Sequence, residues 1–177
     1  LSKERPVFTC IAEIFPKNAT YTDLSWRVTT PEGIDTNIAA VAYDGHTATV
    51  TALGDGMFYL RCMANNGGDH PEIISQMECR AEGLGTASVN PYEFVTGGLY
   101  TVSYGDVGTG NERGLCLSDH EESAAGFENV DFGPIGSDEI TIPFFTLNDA
   151  PYDISLYSGD PYHGGIKIGD FVYQKPS

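Results

Sequence analysis

Thr47-Ala48-Thr49-Val50-Thr51-Ala52, framed by Asp44-Gly45 before it and Gly54-Asp55-Gly56 after it, is the stretch on which the fold class turns. Apolar residues at 48, 50 and 52 alternate with threonines at 47, 49 and 51, the two-residue period of a strand with one buried face. Asp-Gly suits the left-handed backbone of a tight hairpin turn, so Val41 and Tyr43 belong to a partner strand. On the far side, Phe58, Leu60, Cys62 and Ala64 point one way along another strand. Leu24, Trp26 and Val28 alternate with Ser25, Arg27 and Thr29, and Val7 to Ile14 is apolar and β-branched, with Pro16 closing it. Asn65-Asn66-Gly67-Gly68 is a loop, and Ile73 to Ala81 is a further strand. About six or seven short strands in some 80 residues is the spacing of an all-β sandwich.

Beyond it, Glu82-Gly83-Leu84-Gly85 reads as a joint, after which the pattern restarts. Strands are expected at Tyr92–Val95, Leu99–Tyr104, Leu115–Leu117, Gly126–Phe132, Glu139–Phe145, Tyr152–Tyr157 and Ile166–Tyr173, with a glycine-rich loop from Gly105 to Gly114. No segment has a helical period, and 21 glycines and 10 prolines interrupt the chain too often for long helices. The expected architecture is all-β: two consecutive β-sandwich domains meeting near residue 84.

The 177 residues carry a formal charge of −16, which repels phosphate backbones and anionic lipid headgroups and excludes nucleic-acid and membrane-surface binding. Residues 1–84 hold 11 acidic and 6 basic side chains, and residues 85–177 hold 14 and 3, so most of the excess is in the second half. A hydrophobic content of 41% with 9 Phe, 10 Tyr and 1 Trp supports packed cores. No apolar run approaches the roughly 18 residues of a membrane span. The opening Leu1-Ser2-Lys3-Glu4-Arg5-Pro6 has no secretory n-region or h-region, and Phe171–Ser177 reads as a strand that leads onward; we expect a piece of a larger protein. Cys10, Cys62, Cys79 and Cys116 form no CxxC pair, so no zinc site is signalled. They read as reduced, buried apolar residues, with three connectivities open if all were oxidised.

Catalytic signals are weak. Asp119-His120-Glu121-Glu122 offers metal-type ligands, but four consecutive residues cannot all face one ion, and a solvated turn is expected. There is no Gly-x-Ser-x-Gly, and His46, His70, His120 and His163 all lie in turns. Gly108-Thr109-Gly110 lacks the lysine of a phosphate loop, and Asn18-Ala19-Thr20 is formally a glycosylation acceptor. Tyr100, Tyr104, Tyr157, Tyr162 and Tyr173 could stack on sugars or fill a core; Tyr162 lies in a Gly/Asp/Pro loop and is the one expected to be exposed.

Gly126-Phe127-Glu128-Asn129-Val130-Asp131-Phe132-Gly133, followed by Gly136-Ser137-Asp138-Glu139-Ile140-Thr141-Ile142-Pro143, resembles the middle of family 6-like carbohydrate-binding modules. Residues 1–84, with Pro16-Lys17-Asn18-Ala19-Thr20 and Trp26-Arg27-Val28, resemble a bacterial Ig-like module. The tandem is similar to the C-terminal region of glycoside hydrolase family 2 β-galactosidases. That resemblance implies an Ig-like sandwich at 1–84 and a jelly roll at 85–177, truncated at its C-terminus. It implies a non-catalytic accessory role beside a catalytic barrel domain elsewhere in the parent chain, with galactoside or another oligosaccharide as the ligand. The rings such modules place before the Asn-Val-Asp-Phe-Gly run are replaced by Leu115, Cys116, Leu117 and Ala124-Ala125, so sugar binding is expected to be weak or absent. Carbohydrate-facing candidates are Tyr162, Asn111, Glu112 and Arg113; Glu93 is the candidate ligand for a structural calcium ion, and no other cofactor is expected. No catalytic residue is expected in this chain, and a cytoplasmic parent is slightly favoured over a secreted one. The alternative is a surface adhesin or stalk segment whose stacked sandwiches bind a protein partner.

Overall fold

The computed structural model describes residues 1–110, 114–117, 121–144 and 146–176. The protein is all-β: among the described residues there is no α-helix, and one 3-10 turn spans Gly97–Leu99. Among the described residues, no helix is long and apolar enough to cross a membrane. The chain divides into two compact units, Leu1–Gly133 and Pro134–Ser177.

The first unit is founded on six strands: β1 (Val7–Ile11), β2 (Ser25–Thr29), β3 (Ala39–Asp44), β4 (Thr47–Ala52), β5 (Gly56–Ala64) and β6 (Ile73–Ala81). They form two antiparallel sheets, ordered β1-β4-β3 and β2-β5-β6. This is the order of the BED and CFG strands of an immunoglobulin-type sandwich. One core lies between them: Trp26, Val28, Phe58, Leu60 and Ala81 from one sheet meet Ala39, Ala48, Val50 and Ala52 from the other. The large residues lie mainly on one sheet and the alanines on the other, so the layers interdigitate without overpacking. Trp26 also satisfies its one donor, its Nε1–H reaching the Gly45 carbonyl at 3.0 Å. Arg27, on the opposite face of β2, pairs with Asp35 at 2.7 Å and fixes the β2–β3 loop.

The compact unit continues past the residue-84 joint. Asp55 Oδ1 accepts the Leu84 N–H and the Asp55 N–H donates to the Gly85 carbonyl, both at 2.7 Å. Asn37 Nδ2 donates to the Ser88 carbonyl at 3.3 Å. Gly54 lies so close to the following segment that a Cβ there would be 2.4 Å from the Ala87 nitrogen. Two short pairs follow: β7 (Val102–Tyr104) with β10 (Ala124–Gly126), and β8 (Val107–Thr109) with β9 (Leu115–Leu117).

The second unit is a hairpin of β11 (Tyr152–Ser158) and β12 (Ile166–Tyr173), with a bulge at Leu156/Tyr157. Phe144 packs on one face of it, its ring centroid 4.2 Å from Tyr173 and 6.1 Å from Phe171. Three expected strands differ from the structure. Tyr92–Val95 is a turn and its exit, Gly126–Phe132 is a strand only at its first residue with an isolated bridge at Val130, and the described part of Glu139–Phe145 is irregular. Tyr92–Val95 and the described part of Glu139–Phe145 have no ladder partner among the described residues, beyond Gly126 the middle stretch makes only that isolated bridge, and Pro143 cannot donate to a ladder. Strand propensity without a pairing edge does not make a strand.

Candidate functional site

The Asn-Val-Asp-Phe-Gly run is a clasp. Asn129 adopts the left-handed backbone at φ 55°, a conformation asparagine tolerates better than most residues. Its carbonyl accepts the Val89 N–H at 2.9 Å, while the Val89 carbonyl accepts the Asp131 N–H at 3.0 Å, making a parallel bridge between Val89 and Val130. Asp131 Oδ1 then caps the Gly133 N–H at 2.8 Å, an Asx turn. The two segments meet again at Tyr92, whose hydroxyl donates to the Phe132 carbonyl at 2.8 Å.

Beside this clasp is a cleft of about 290 Å³. Asn37, Asp55, Thr86, Thr101, Glu128 and Asn129 supply its polar lining. Glu128, an exposed residue, donates its backbone N–H to Thr101 Oγ1 at 3.1 Å. Both chain segments leave the cleft toward exposed rings: Val89 leads to Tyr92 at 57% exposure, and Asn129 leads to Phe132 at 54%. Acceptors and donors in such a cleft can engage a ligand with many hydroxyls. A second hollow, near Glu13, Lys17 and His46, has its histidine Nδ1 committed to the Ala12 carbonyl at 3.0 Å.

The residues singled out from sequence are distributed differently. Tyr162 is in the second unit, 46% exposed, in the turn between β11 and β12. Asp160 organises that turn: its Oδ1 accepts the Tyr162 N–H at 2.9 Å and its Oδ2 lies 2.7 Å from His163 Nδ1. Asn111, Glu112 and Arg113 lie outside the described residues, as do Asp119 and His120 of the acidic cluster. Glu93 is exposed between Tyr92 and Phe94 in the first unit. Among the described residues, no group of three or more His, Cys, Asp or Glu side chains is arranged to hold a metal ion. The cleft residues Asn37, Asp55 and Thr101 are not among the sequence candidates, because ordinary polar residues far apart along the chain carry no spacing signal, and Glu128 is quoted only as part of the Gly126–Gly133 motif. Asn129, inside the most specific motif of the chain, was the available clue.

Compared with protein-family models, with curated proteins and with solved structures, the chain gives no match.

Proposed function

We propose that this chain is a non-catalytic accessory piece of a glycosidase of the β-galactosidase type, one that makes weak contact with oligosaccharide. The Ig-like assignment of 1–84, the carbohydrate-module character of 85–177 and the catalytic barrel as partner all belong to this reading. The observation that carries it is the polar cleft beside the Val89–Val130 clasp, with the exposed Tyr92 and Phe132 on the two chain segments that form that clasp. The surface charge of −16 favours a neutral ligand, and sugar hydroxyls donate well to carboxylates such as Glu128.

Titration with a galactoside at millimolar concentration, followed by calorimetry and amide chemical shifts, tests the reading. Shifts centred on Thr101, Glu128 and Asn129 are expected. Tyr92→Ala removes a stacking surface on the order of 1 kcal/mol and weakens binding about fivefold. No heat and no shift at millimolar sugar reject the binding role, and hydrolysis of a chromogenic galactoside above background rejects the non-catalytic one.

The adhesin or stalk reading is favoured by a different observation, the exposed Ile166, Ile168 and Val172 on the open face of the hairpin. A wall anchor encoded in the parent gene would support it, and a family 2 barrel encoded upstream would end it.

A further inference from the structure

The loop between β5 and β6 begins Asn65-Asn66-Gly67-Gly68 and ends at Glu72, with every residue exposed. The Gly68 N–H donates to the Asn65 carbonyl at 2.8 Å, so Asn66 and Gly67 are the two central residues of a turn. Their φ values are 50° and 82°, both in the left-handed region. Two such residues in succession are what a type I′ turn needs, and Asn-Gly is the favoured pair for it. Gly67 has no room for a side chain, since a Cβ there would be 2.4 Å from Cζ of Tyr21. Asn66 Nδ2 donates to Glu72 Oε2 at 3.3 Å, and among the described residues no backbone hydrogen bond engages the Gly67 N–H.

The residues that make this turn also carry a reaction. A backbone nitrogen can attack the side-chain amide carbon of the asparagine before it, closing a five-membered ring. Glycine obstructs that closure least, because it has no Cβ beside the attacking nitrogen. The chain has eight asparagines, and only Asn66 precedes a glycine. Asn90 precedes Pro91, which has no N–H to give up, and the remaining six precede residues with side chains. Closure at Asn66 requires its amide to leave Glu72 and swing to the backbone, a movement that an exposed loop permits.

We infer that Asn66 is a site of spontaneous covalent modification, converted in water to aspartate and isoaspartate, and that the product loosens the β5–β6 turn. The Gly67 nitrogen gives its proton to solvent and bonds to Asn66 Cγ. The Cγ–Nδ2 bond breaks, and the nitrogen takes a proton from water and leaves as ammonia. One water then opens the cyclic imide. Breaking the new Cγ–N bond restores the chain as aspartate, whereas breaking the original C–N bond leaves the chain running through Cβ and Cγ as isoaspartate. In total one water is consumed and one ammonia released, with no oxidant or reductant. Either product puts a carboxylate where an amide had donated to Glu72, adding one negative charge to the formal −16 and replacing a hydrogen bond with repulsion. Isoaspartate also adds a carbon to the backbone of a two-residue turn. The end of the hairpin that this turn closes, where the Glu72 N–H donates to the Ala64 carbonyl at 3.0 Å, is weakened by both changes.

The test incubates the whole chain for weeks in warm buffer at neutral and at mildly alkaline pH, then weighs it intact. The protein is next unfolded, alkylated at exposed Cys116 as well as at half-buried Cys10, Cys62 and Cys79, and peptide-mapped. The expected product has gained the one-dalton difference between an amide and an acid, and the map places the gain at Asn66. Two products of equal mass, aspartate and isoaspartate, are expected to separate by chromatography. The gain is expected sooner at the higher pH, because ring closure needs a deprotonated nitrogen. Asn66→Gly, which suits the left-handed backbone, is expected to abolish the gain. In converted protein the Glu72 amide is expected to exchange faster than in fresh protein. No gain at Asn66, a gain that appears first at another asparagine, an undiminished gain in Asn66→Gly, or unchanged Glu72 exchange after conversion would each overturn the inference. Isomerisation at Asp44-Gly45 or Asp55-Gly56 leaves the mass unchanged and does not enter the measurement. The peptide map is read on the unsubstituted protein, so it stands even if the glycine variant fails to fold.

Discussion

Ala48, Val50 and Ala52 of β4 are 0, 0 and 4% exposed, whereas Ile166, Ile168 and Val172 of β12 stand at 70, 63 and 64%. Both strands alternate, both are antiparallel, and both follow glycine-bearing turns. What differs is the layer opposite. β4 has Phe58 and Leu60 of a second sheet across from it, while Ile166, Ile168 and Val172 of β12 are all exposed. Alternation therefore reports which side of a strand is meant to be covered, and burial depends on a second sheet being there to cover it. A two-stranded hairpin alone is marginal in water, so the two units should differ widely in local stability.

The largest effect is expected at Phe58, which is fully buried. Phe58→Ala should destabilise the first unit by about 3–5 kcal/mol in chemical denaturation. An equal loss from Phe171→Ala, measured on the same transition, would erase the contrast between the units. Next is Trp26→Phe, which keeps most of the ring but leaves the Gly45 carbonyl without its donor; a loss of about 1–2 kcal/mol is expected. Leu156→Ala in β11 should move the main transition by less than about 1 kcal/mol. Amide exchange should show the same ordering, with β4 and β5 protected close to the global limit and β11 and β12 exchanging far sooner. Protection of the hairpin equal to that of β4 would mean that something covers it in solution.

The smallest effect concerns charge at the rim of the first sandwich. The Tyr59 hydroxyl donates to Glu78 Oε2 at 2.8 Å, and that bond, more than burial, holds the Tyr59 pKa above its ordinary 10.0. The folded chain thus keeps the phenol proton at higher pH than the unfolded chain does. The associated stabilisation is complete below about pH 10 and is lost as pH rises through the folded value. Glu78→Ala should return the tyrosinate absorbance transition toward 10 with little change in stability. An unchanged titration would mean the bond does not form in solution.

What could be read in advance follows from how local the determinants are. Thr47–Ala52 and Ile166–Tyr173 match their observed strands because period-two patterning and turn glycines are contained within the strand itself. Glu139–Phe145 looked equally strand-like, with Ile140 and Ile142 alternating, yet pairing depends on a partner edge that its own residues do not encode. The same applies to the cleft. Asn37 and Asp55 line one cleft because the Ile38 carbonyl accepts the Leu53 and Gly54 N–H groups, Glu128 joins them through the segment held by the Val89–Val130 bridge, and nothing at any one of the three announces it. The Tyr92–Phe132 contact lies within two segments whose family resemblance was visible, but its geometry depends on the left-handed Asn129.

The bonds around Asp55 have a mechanical consequence. Leu84 and Gly85 are each tied to Asp55, Ser88 is tied to Asn37, and Gly54 leaves no slack against Ala87. A stretch with two glycines would by itself be a swivel. Fastened this way it acts as a riveted seam, with several bonds that must shear together before either side can rotate. In a single-molecule pulling experiment, the six-stranded sandwich and residues 85–133 are therefore expected to yield in one force peak.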